Sequence, residues 1–118
     1  ISMKRKAMNT FICSTDRPFE FKGRFNDDVN TYTRLGSRGL LFCCISQCNI
    51  QQKSSQSTAG GMTEVYRETG TYIKSFTSVV VHPSGVVVTM LNSRHKRIHH
   101  NVIWEHTAPK ILQEKWKK

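Results

Sequence analysis

The sequence predicts a single α+β domain, in which a mixed β-sheet is flanked by a few short helices. Apolar and β-branched runs alternate with segments that carry helix-terminal residues, and 118 residues are enough for one compact core without disulfides. The sequence contains no internal repeat and no heptad pattern. The first run, residues 8–15, is predicted to start as a strand that ends at the turn-forming sequence Asp-Arg-Pro.

Residues 26–36 are predicted to form a short helix. Asn26 is expected to be its N-cap, with Asp27 and Asp28 in the first turn and Gly36 just past its end. Carboxylates in a first turn are favoured by the helix dipole, which is one explanation of the two aspartates. The alternative explanation is functional, because adjacent carboxylates can hold a hard divalent cation or act as a general base.

The unbroken apolar run 40–50 is typical of a strand that is covered on both faces. Residues 51–61 follow it as a polar, flexible loop rich in serine and glycine, whose length suggests function or mobility. At the end of this loop, the backbone N–H groups around Gly60 and Gly61 would be able to cradle a phosphate. A glycine pair alone is a weak signal, and the sequence has no Walker motif here.

The second half of the chain is predicted to contain both helices and strands. Residues 62–76 are expected to be helical in part, with Thr63 capping and Gly70 interrupting the helix. Two β-branched runs within residues 78–91 flank the sequence His-Pro-Ser-Gly, which predicts two strands joined by a tight turn.

The C-terminal part is predicted to add one strand and one helix. Residues 98–104 are expected to form the strand. Residues 108–118 are expected to form a closing helix with Pro109 near its first turn.

The charge of the chain predicts a polyanionic partner. The formal net charge is +10 and the pI is about 9.9, with basic residues concentrated in 3–6, 92–100 and 110–118. Lysines and arginines in such blocks contact phosphates with an affinity that falls steeply with salt, although terminal lysine clusters can also be solvated tails. The predicted phosphate contacts are Arg24, Lys74, Arg94, Lys96 and Arg97.

The histidines and cysteines were considered as metal ligands. His99 and His100 lie among basic residues, so they are as well suited to anion contact as to metal binding. The four cysteines lack the paired spacing of a zinc site, and we expect them to be free, buried and in a reducing compartment. A nuclease motif is not supported, because the histidines and asparagine of His-His-Asn-Val-Ile-Trp-Glu-His are too closely spaced. A hydrolase is not supported either, since no nucleophile elbow is present.

No apolar run approaches the length of a membrane span and no signal peptide is recognisable, so we expect a cytoplasmic protein that does not bind membranes. The chain begins with Ile-Ser-Met, which leads us to expect a fragment of a longer protein.

Four segments, in order and covering most of residues 4–115, resemble a phage-encoded family of GT-A-type glycosyltransferase-like proteins associated with TET/JBP oxygenases. They are KRKAMNTFI, GRFNDDVNTY, QSTAGGMTEVYRETGTYIKSF and RIHHNVIWEHTAPKIL. The resemblance is to the C-terminal half of that family. It implies the acceptor-side half of a GT-A-like fold, in the cytoplasm of an infected host cell.

The resemblance also implies an activity and a site. Such an enzyme transfers a sugar from a nucleotide donor to a hydroxymethylated base in DNA, with a divalent metal such as manganese or magnesium. Asp27 and Asp28 would match the acidic motif that faces the acceptor. His99 or His100 would match the late metal or diphosphate contact, and Lys74 would lie in a segment that closes over the site. The Asp-rich donor motif of the family is absent from these residues, so the resemblance by itself does not support donor binding or independent activity. The alternative is a non-catalytic basic module that binds nucleic acid.

Overall fold

The computed structural model describes residues 6, 11–45, 47–48, 50–51, 60, 62–92 and 96–109. The elements in chain order are α1 (Asp27–Gly36), α2 (Thr63–Thr69), α3 (Tyr72–Val81), β1 (Val86–Asn92), β2 (Lys96–Val102) and α4 (Trp104–Thr107). This composition confirms the α+β class. Within the described ranges the sheet has two strands, β1 and β2, and they are antiparallel.

Helix α1 forms where the sequence predicts it, and its inner face holds the core of the described residues. Val29 and Tyr32 are buried three residues apart, and Gly36 follows one turn later on the same face. Tyr32 stacks on Trp104 of α4 with a centroid distance of 5.8 Å. A Cβ atom at Gly36 would collide with the carbonyl oxygen of Thr107, so a glycine is what allows α1 and α4 to pack this closely.

Two details at the ends of α1 differ from the prediction. Asn26 does occupy the N-cap position, but its side chain makes no capping hydrogen bond and its backbone is left-handed, with φ of 49°. Gly36 is the last residue of the helix and not the first residue beyond it. The aspartates lie in the first turn as expected, where their charge complements the helix dipole.

Helices α2 and α3 are separated at Gly70, as predicted. Gly70 has φ of 58° and ψ of −141°, a combination that other residues rarely adopt, so the first helix ends there. Thr63 is the first residue of α2 and does not cap it, since Met62 occupies the N-cap position.

The hairpin predicted within residues 78–91 is wrong in its first half. Residues 78–81 complete α3, and the turn at 82–85 joins this helix to β1 instead of joining two strands. The three valines add only one turn to a helix that is already formed, and Pro83 then prevents its continuation. The second valine run forms β1, which pairs with β2 from Val86↔Val102 to Asn92↔Lys96. The strand predicted at 98–104 is therefore confirmed as far as Val102.

The two strands predicted in the first half of the chain are not found in the described residues. Residues 11–15 have no strand structure, and residues 40–50 contain only an isolated bridge at Cys44. Leu41, Ile45 and Ile50 are exposed, so this apolar run is not covered on both faces. An apolar run becomes a strand only where another strand accepts its hydrogen bonds, and periodicity alone does not reveal that partner.

The cysteines are free, as predicted, but the prediction that they are buried was wrong. Cys13, Cys43 and Cys48 are exposed, and Cys44 is half-buried.

Several predictions lie outside the described residues. They concern residues 8–10, most of the 51–61 loop including Gly61, Arg94, and residues 110–118 of the closing helix. Among the helices that the structure does describe, none has the length and apolar character needed to cross a membrane.

Candidate functional site

The side chain of Asn26 joins three elements at the start of α1. Its Nδ2 atom lies 3.0 Å from the carbonyl oxygen of Lys74 and 3.0 Å from Oγ of Ser78, both on α3. The same atom lies 3.3 Å from Nδ1 of His100 on β2. Because an amide has two N–H groups for these three acceptors, one bond is shared. The left-handed backbone of Asn26 thus directs its amide into the protein instead of back onto the helix end.

His100 is neutral in this arrangement. It is 7% exposed, and an amide N–H can donate to its Nδ1 only if that nitrogen carries no proton. Burial, followed by the neighbouring His99, Lys74 and Lys6, lowers the pKa of His100 to about 4. The protein therefore holds this imidazole uncharged in a strongly basic environment.

We expect the low pKa of His100 to make the protein sensitive to acid. The folded-state pKa of about 4 lies below the ordinary value of 6.5, so the stability that the neutral ring contributes is complete above about pH 6.5 and is lost as the pH falls towards 4. At about 1.4 kcal/mol per pH unit, the free energy of unfolding should fall by about 3 kcal/mol over this interval. Urea unfolding at several pH values measures this slope.

The matched variants are His100→Gln and Asn101→Gln, the latter at the neighbouring exposed position of β2. The first should make the slope between pH 6.5 and 4 less steep, and the second, which removes no titratable group, should leave it unchanged. If His100→Gln keeps the slope of the original protein, other groups cause the acid sensitivity.

The charges of the two aspartates at the start of α1 act on side chains of α2 and α3. Asp27 is exposed and Asp28 is half-buried. The pKa of Tyr66 on α2 is raised by burial first and then by the charges of Asp27 and Asp28. The Nζ atom of Lys74 lies 5.6 Å from the centroid of the Tyr66 ring, which places a cation over an aromatic face. Asp28 also favours the charged form of Lys74, so these four side chains form one electrostatic cluster.

The histidines are adjacent to this cluster on its basic side. Burial lowers the pKa of His99, and the positive charges of Lys74, Arg97 and Lys6 lower it further. The rings of His99 and His100 lie 4.4 Å apart between centroids. Burial also lowers the pKa of Lys74, and Lys6 and Arg97 contribute to that shift. Three cations from distant parts of the sequence thus converge on one edge of β2, where their mutual repulsion would be relieved by a bound anion.

The described side chains offer few ligands for a divalent metal. In the described part of the chain, no group of three or more histidine, cysteine or carboxylate side chains is placed to hold a metal ion. His100 has one ring nitrogen engaged by Asn26. Asp27 and Asp28 are the oxygen ligands that magnesium and manganese prefer, and such ions commonly take one or two carboxylates and complete their shell with substrate phosphates and water.

The structure brings together six of the predicted site residues and not the others. Asp27, Asp28 and Lys74 belong to the cluster, and Arg97, His99 and His100 lie on its basic side. Arg24 is exposed in the loop before α1, and Lys96 is exposed at the start of β2. Gly60 is exposed with φ of 107°, and the open space around it leaves its backbone accessible.

Sequence reasoning missed the residues that position the cluster. Asn26 was expected to cap a helix, and Ser78 was assigned to a strand. The available signal was the pair of serines, Ser75 and Ser78, three residues apart in a helical segment that is mostly apolar. A small hydroxyl at helical spacing indicates close approach of another element, in this case the start of α1.

Comparison with known proteins gives one match. The family model described as TET-Associated Glycosyltransferase matches residues 2–61, a segment that includes Asp27 and Asp28. The match covers 60 of 118 residues and ends before α2 begins. No curated protein and no solved structure matched the chain.

Proposed function

Since this chain belongs to the TET-associated glycosyltransferase family, we propose that it transfers a sugar from a nucleotide donor to a hydroxymethylated base in DNA. The observation that carries the proposal is the position of the two aspartates. They lie in the segment that matches the family, and the charge of Asp28 acts on both Lys74 and Tyr66 of the segment that lies beyond the match. Transfer from an anionic donor to a hydroxyl group requires a base for the hydroxyl proton and positive charge for the donor. A carboxylate beside a basic surface provides both.

In the proposed mechanism, Asp28 accepts the proton of the attacking hydroxyl group. A base of this kind must lie within hydrogen-bonding reach of the acceptor, and Asp28 is half-buried at the start of α1. Asp27, which is more exposed, orients the acceptor or contributes to a metal site.

The basic side of the cluster is proposed to bind phosphate. Lys74, Arg97 and Lys6 already act together on His99, so an anion placed among them is attracted by all three. The net charge of +10 supports a DNA acceptor, and the exposed Arg24 and Lys96 would extend the contact with its backbone. If manganese or magnesium takes part, Asp27 and Asp28 would hold it, and its chemistry would be the neutralisation of the departing diphosphate.

Binding of a nucleoside-diphosphate sugar, measured by calorimetry with and without manganese, tests this proposal. We expect donor binding that requires the metal, followed by transfer of labelled sugar to duplex DNA containing hydroxymethylated bases. Duplex DNA without the hydroxyl group is the matched acceptor control and should remain unlabelled. Absence of donor binding under all metal conditions would reject the proposal.

The second candidate function is a basic nucleic-acid-binding module without catalysis. The convergence of Lys6, Lys74 and Arg97 on His99 favours it, because that arrangement suits any phosphate. This function predicts DNA binding that weakens steeply as salt increases and that is indifferent to metal and to nucleotide sugar. A flat salt response would exclude it.

A further inference from the structure

The loop that leads into α1 carries two cations, one on either side of a glycine. Lys22, Gly23 and Arg24 are all exposed, and we name these three residues the basic loop. Neither cation forms an ion pair with another residue in the described part of the chain, whereas the Nε atom of Arg17 lies 3.9 Å from a carboxylate oxygen of Asp16. The basic loop therefore presents two positive charges that the described residues do not neutralise.

Side chains of α1 hold the backbone of the basic loop in place. Asn30, which is 0% exposed, donates from Nδ2 to the carbonyl oxygens of Lys22 at 3.0 Å and Phe25 at 2.8 Å. The hydroxyl of Thr31 accepts a hydrogen bond from the backbone N–H of Lys22 at 3.1 Å. The Oδ1 atom of Asn30 is buried without a partner among the described residues. The hydrogen bonds that this buried amide makes to them therefore go to the two ends of the loop.

Aromatic contacts fix the residues on both sides of the basic loop. On one side, the ring of Phe21 lies 5.4 Å from that of Phe11 between centroids, and Phe11 packs against the buried residues of α1. On the other side, the ring of Phe25 lies 6.1 Å from the ring of Tyr66 on α2. The loop is short and is held at both ends by rings and by hydrogen bonds, which limits the conformations open to it.

Gly23 allows the loop to adopt this conformation. Its φ of 87° is one that residues with a side chain rarely adopt. A Cβ atom at this position would also lie 3.0 Å from Nδ2 of Asn30, the atom that holds the loop. Glycine is required here for two separate reasons, so even alanine should displace the two cations without changing the charge of the protein.

The basic loop has the donors that a phosphodiester backbone requires. Phosphate oxygens accept hydrogen bonds from lysine and arginine side chains and from backbone N–H groups. The N–H groups of Gly23 and Arg24 form no hydrogen bond within the described ranges. Because the backbone of the loop is already fixed, less conformational freedom is lost when a phosphate binds.

The position of the basic loop relates it to the aspartates. Arg24 lies four residues before Asp28, and four residues of chain span at most about 14 Å. A DNA strand that is held at the loop therefore passes close to the carboxylate that acts as the base in the proposed mechanism. The charges that lower the pKa of His99 are those of Lys74, Arg97 and Lys6, so the basic loop is a second group of cations.

We propose that the basic loop binds the phosphodiester backbone of the acceptor DNA and that Gly23 and Asn30 are its positioning residues. The proposal rests on the proposed function for the identity of DNA as the acceptor. It gives the two groups of cations different anions, since the basic loop holds the DNA strand and the cations around His99 hold the diphosphate of the donor. The loop lies in the segment that matches the family.

Fluorescence anisotropy of a labelled DNA duplex, titrated with the chain at several salt concentrations, tests the proposal. For Lys22→Ala and for Arg24→Ala, we expect the slope of log affinity against log salt to fall by about 0.9, since each variant loses one phosphate contact. Arg34→Ala is the matched control, because it removes the same charge from the last turn of α1. This control should keep the slope of the original chain.

Gly23→Ala separates the conformation of the loop from its charge. It should weaken binding to the duplex at least about fivefold, because a displaced loop no longer places both cations on one strand. Binding of inorganic pyrophosphate, measured by calorimetry, should be the same for this variant and for the original chain. Duplex binding that follows these expectations, without pyrophosphate binding or sugar transfer, supports the role of the loop and rejects the proposed function.

Two results with the duplex would overturn the proposal. If Arg24→Ala and Arg34→Ala lower the salt slope equally, net charge alone attracts the DNA. If Gly23→Ala is folded by circular dichroism and binds the duplex like the original chain, the conformation of the loop has no role. A third contrary result is loss of pyrophosphate binding in Lys22→Ala and Arg24→Ala with DNA binding retained, which would assign the loop to the donor. Should Gly23→Ala be unfolded, these two exposed variants still decide the question.

Discussion

Asp28→Asn should reduce sugar transfer by at least about a hundredfold and abolish metal-dependent donor binding, with the fold retained. Asparagine has nearly the same shape as aspartate, so the half-buried position at the start of α1 remains filled. The substitution removes the negative charge that acts on Lys74 and on Tyr66, and it removes the group that accepts the proton. Loss of a general base typically costs between about a hundredfold and ten-thousandfold in rate.

The effect on stability should be small by comparison. A carboxylate in the first turn of a helix contributes about 0.3–1 kcal/mol through the helix dipole, and its loss lowers the melting temperature by a few degrees at most. Transfer of labelled sugar and thermal unfolding, measured on the same preparation, separate the two contributions.

The control for Asp28→Asn is Asp16→Asn. Asp16 is exposed in the loop before α1, where its carboxylate pairs with Arg17 at 3.9 Å and takes no part in the cluster around Lys74. This variant should keep both activity and melting temperature. If Asp28→Asn melts many degrees lower and still binds the donor with manganese, the aspartates serve the helix and not a reaction.

The elements that the sequence predicts correctly are those that nearby residues specify. Helix α1 follows from two acidic residues in the first turn and an apolar residue every three or four positions. The end of α2 follows from Gly70, and β2 contains the β-branched residues Ile98 and Val102 of the segment predicted as a strand. In each of these elements, the residues that specify the structure lie within the element itself.

The incorrect predictions all depend on contacts between distant residues. The apolar run at 40–50 reads as a strand, but no described strand is placed to pair with it beyond the bridge at Cys44. The valines at 79–81 have β propensity, yet they extend α3 because its serines fit against the hairpin and Asn26. Propensity is a weak prior that tertiary packing routinely overrides.

The sequence indicates the chemistry of the candidate residues but not how they are brought together, and their role as a site stays a prediction. Aspartates, histidines and basic residues were identified as candidates from their types and neighbours. Asn26 lies 48 residues before Lys74 and 74 residues before His100. Nothing in the sequence indicates that its side chain contacts both of these residues. This long-range role makes Asn26 the residue whose replacement should affect both the fold and the function.

Asn26→Ala should lower the free energy of unfolding by about 3 kcal/mol. Its loss leaves buried acceptors on α3 and β2 without their donor, and each unsatisfied group costs about 1–3 kcal/mol. Alanine also tolerates the left-handed backbone at this position poorly, at a cost of about 1–2 kcal/mol. Urea unfolding with an unchanged m-value measures the sum of these two effects.

Asn26→Gly separates the two causes, because glycine adopts the left-handed backbone without penalty and still lacks the amide. It should recover about 1 kcal/mol of the stability that alanine loses, with no recovery of donor or DNA binding. The reason is that the amide, and not the backbone angle, holds the start of α1 against Lys74 and His100. Equal stability of the two variants would mean that the backbone is not strained. Full binding by the glycine variant would mean that the aspartates reach their positions without this amide, and that the cluster does not depend on the contact between α1, α3 and β2.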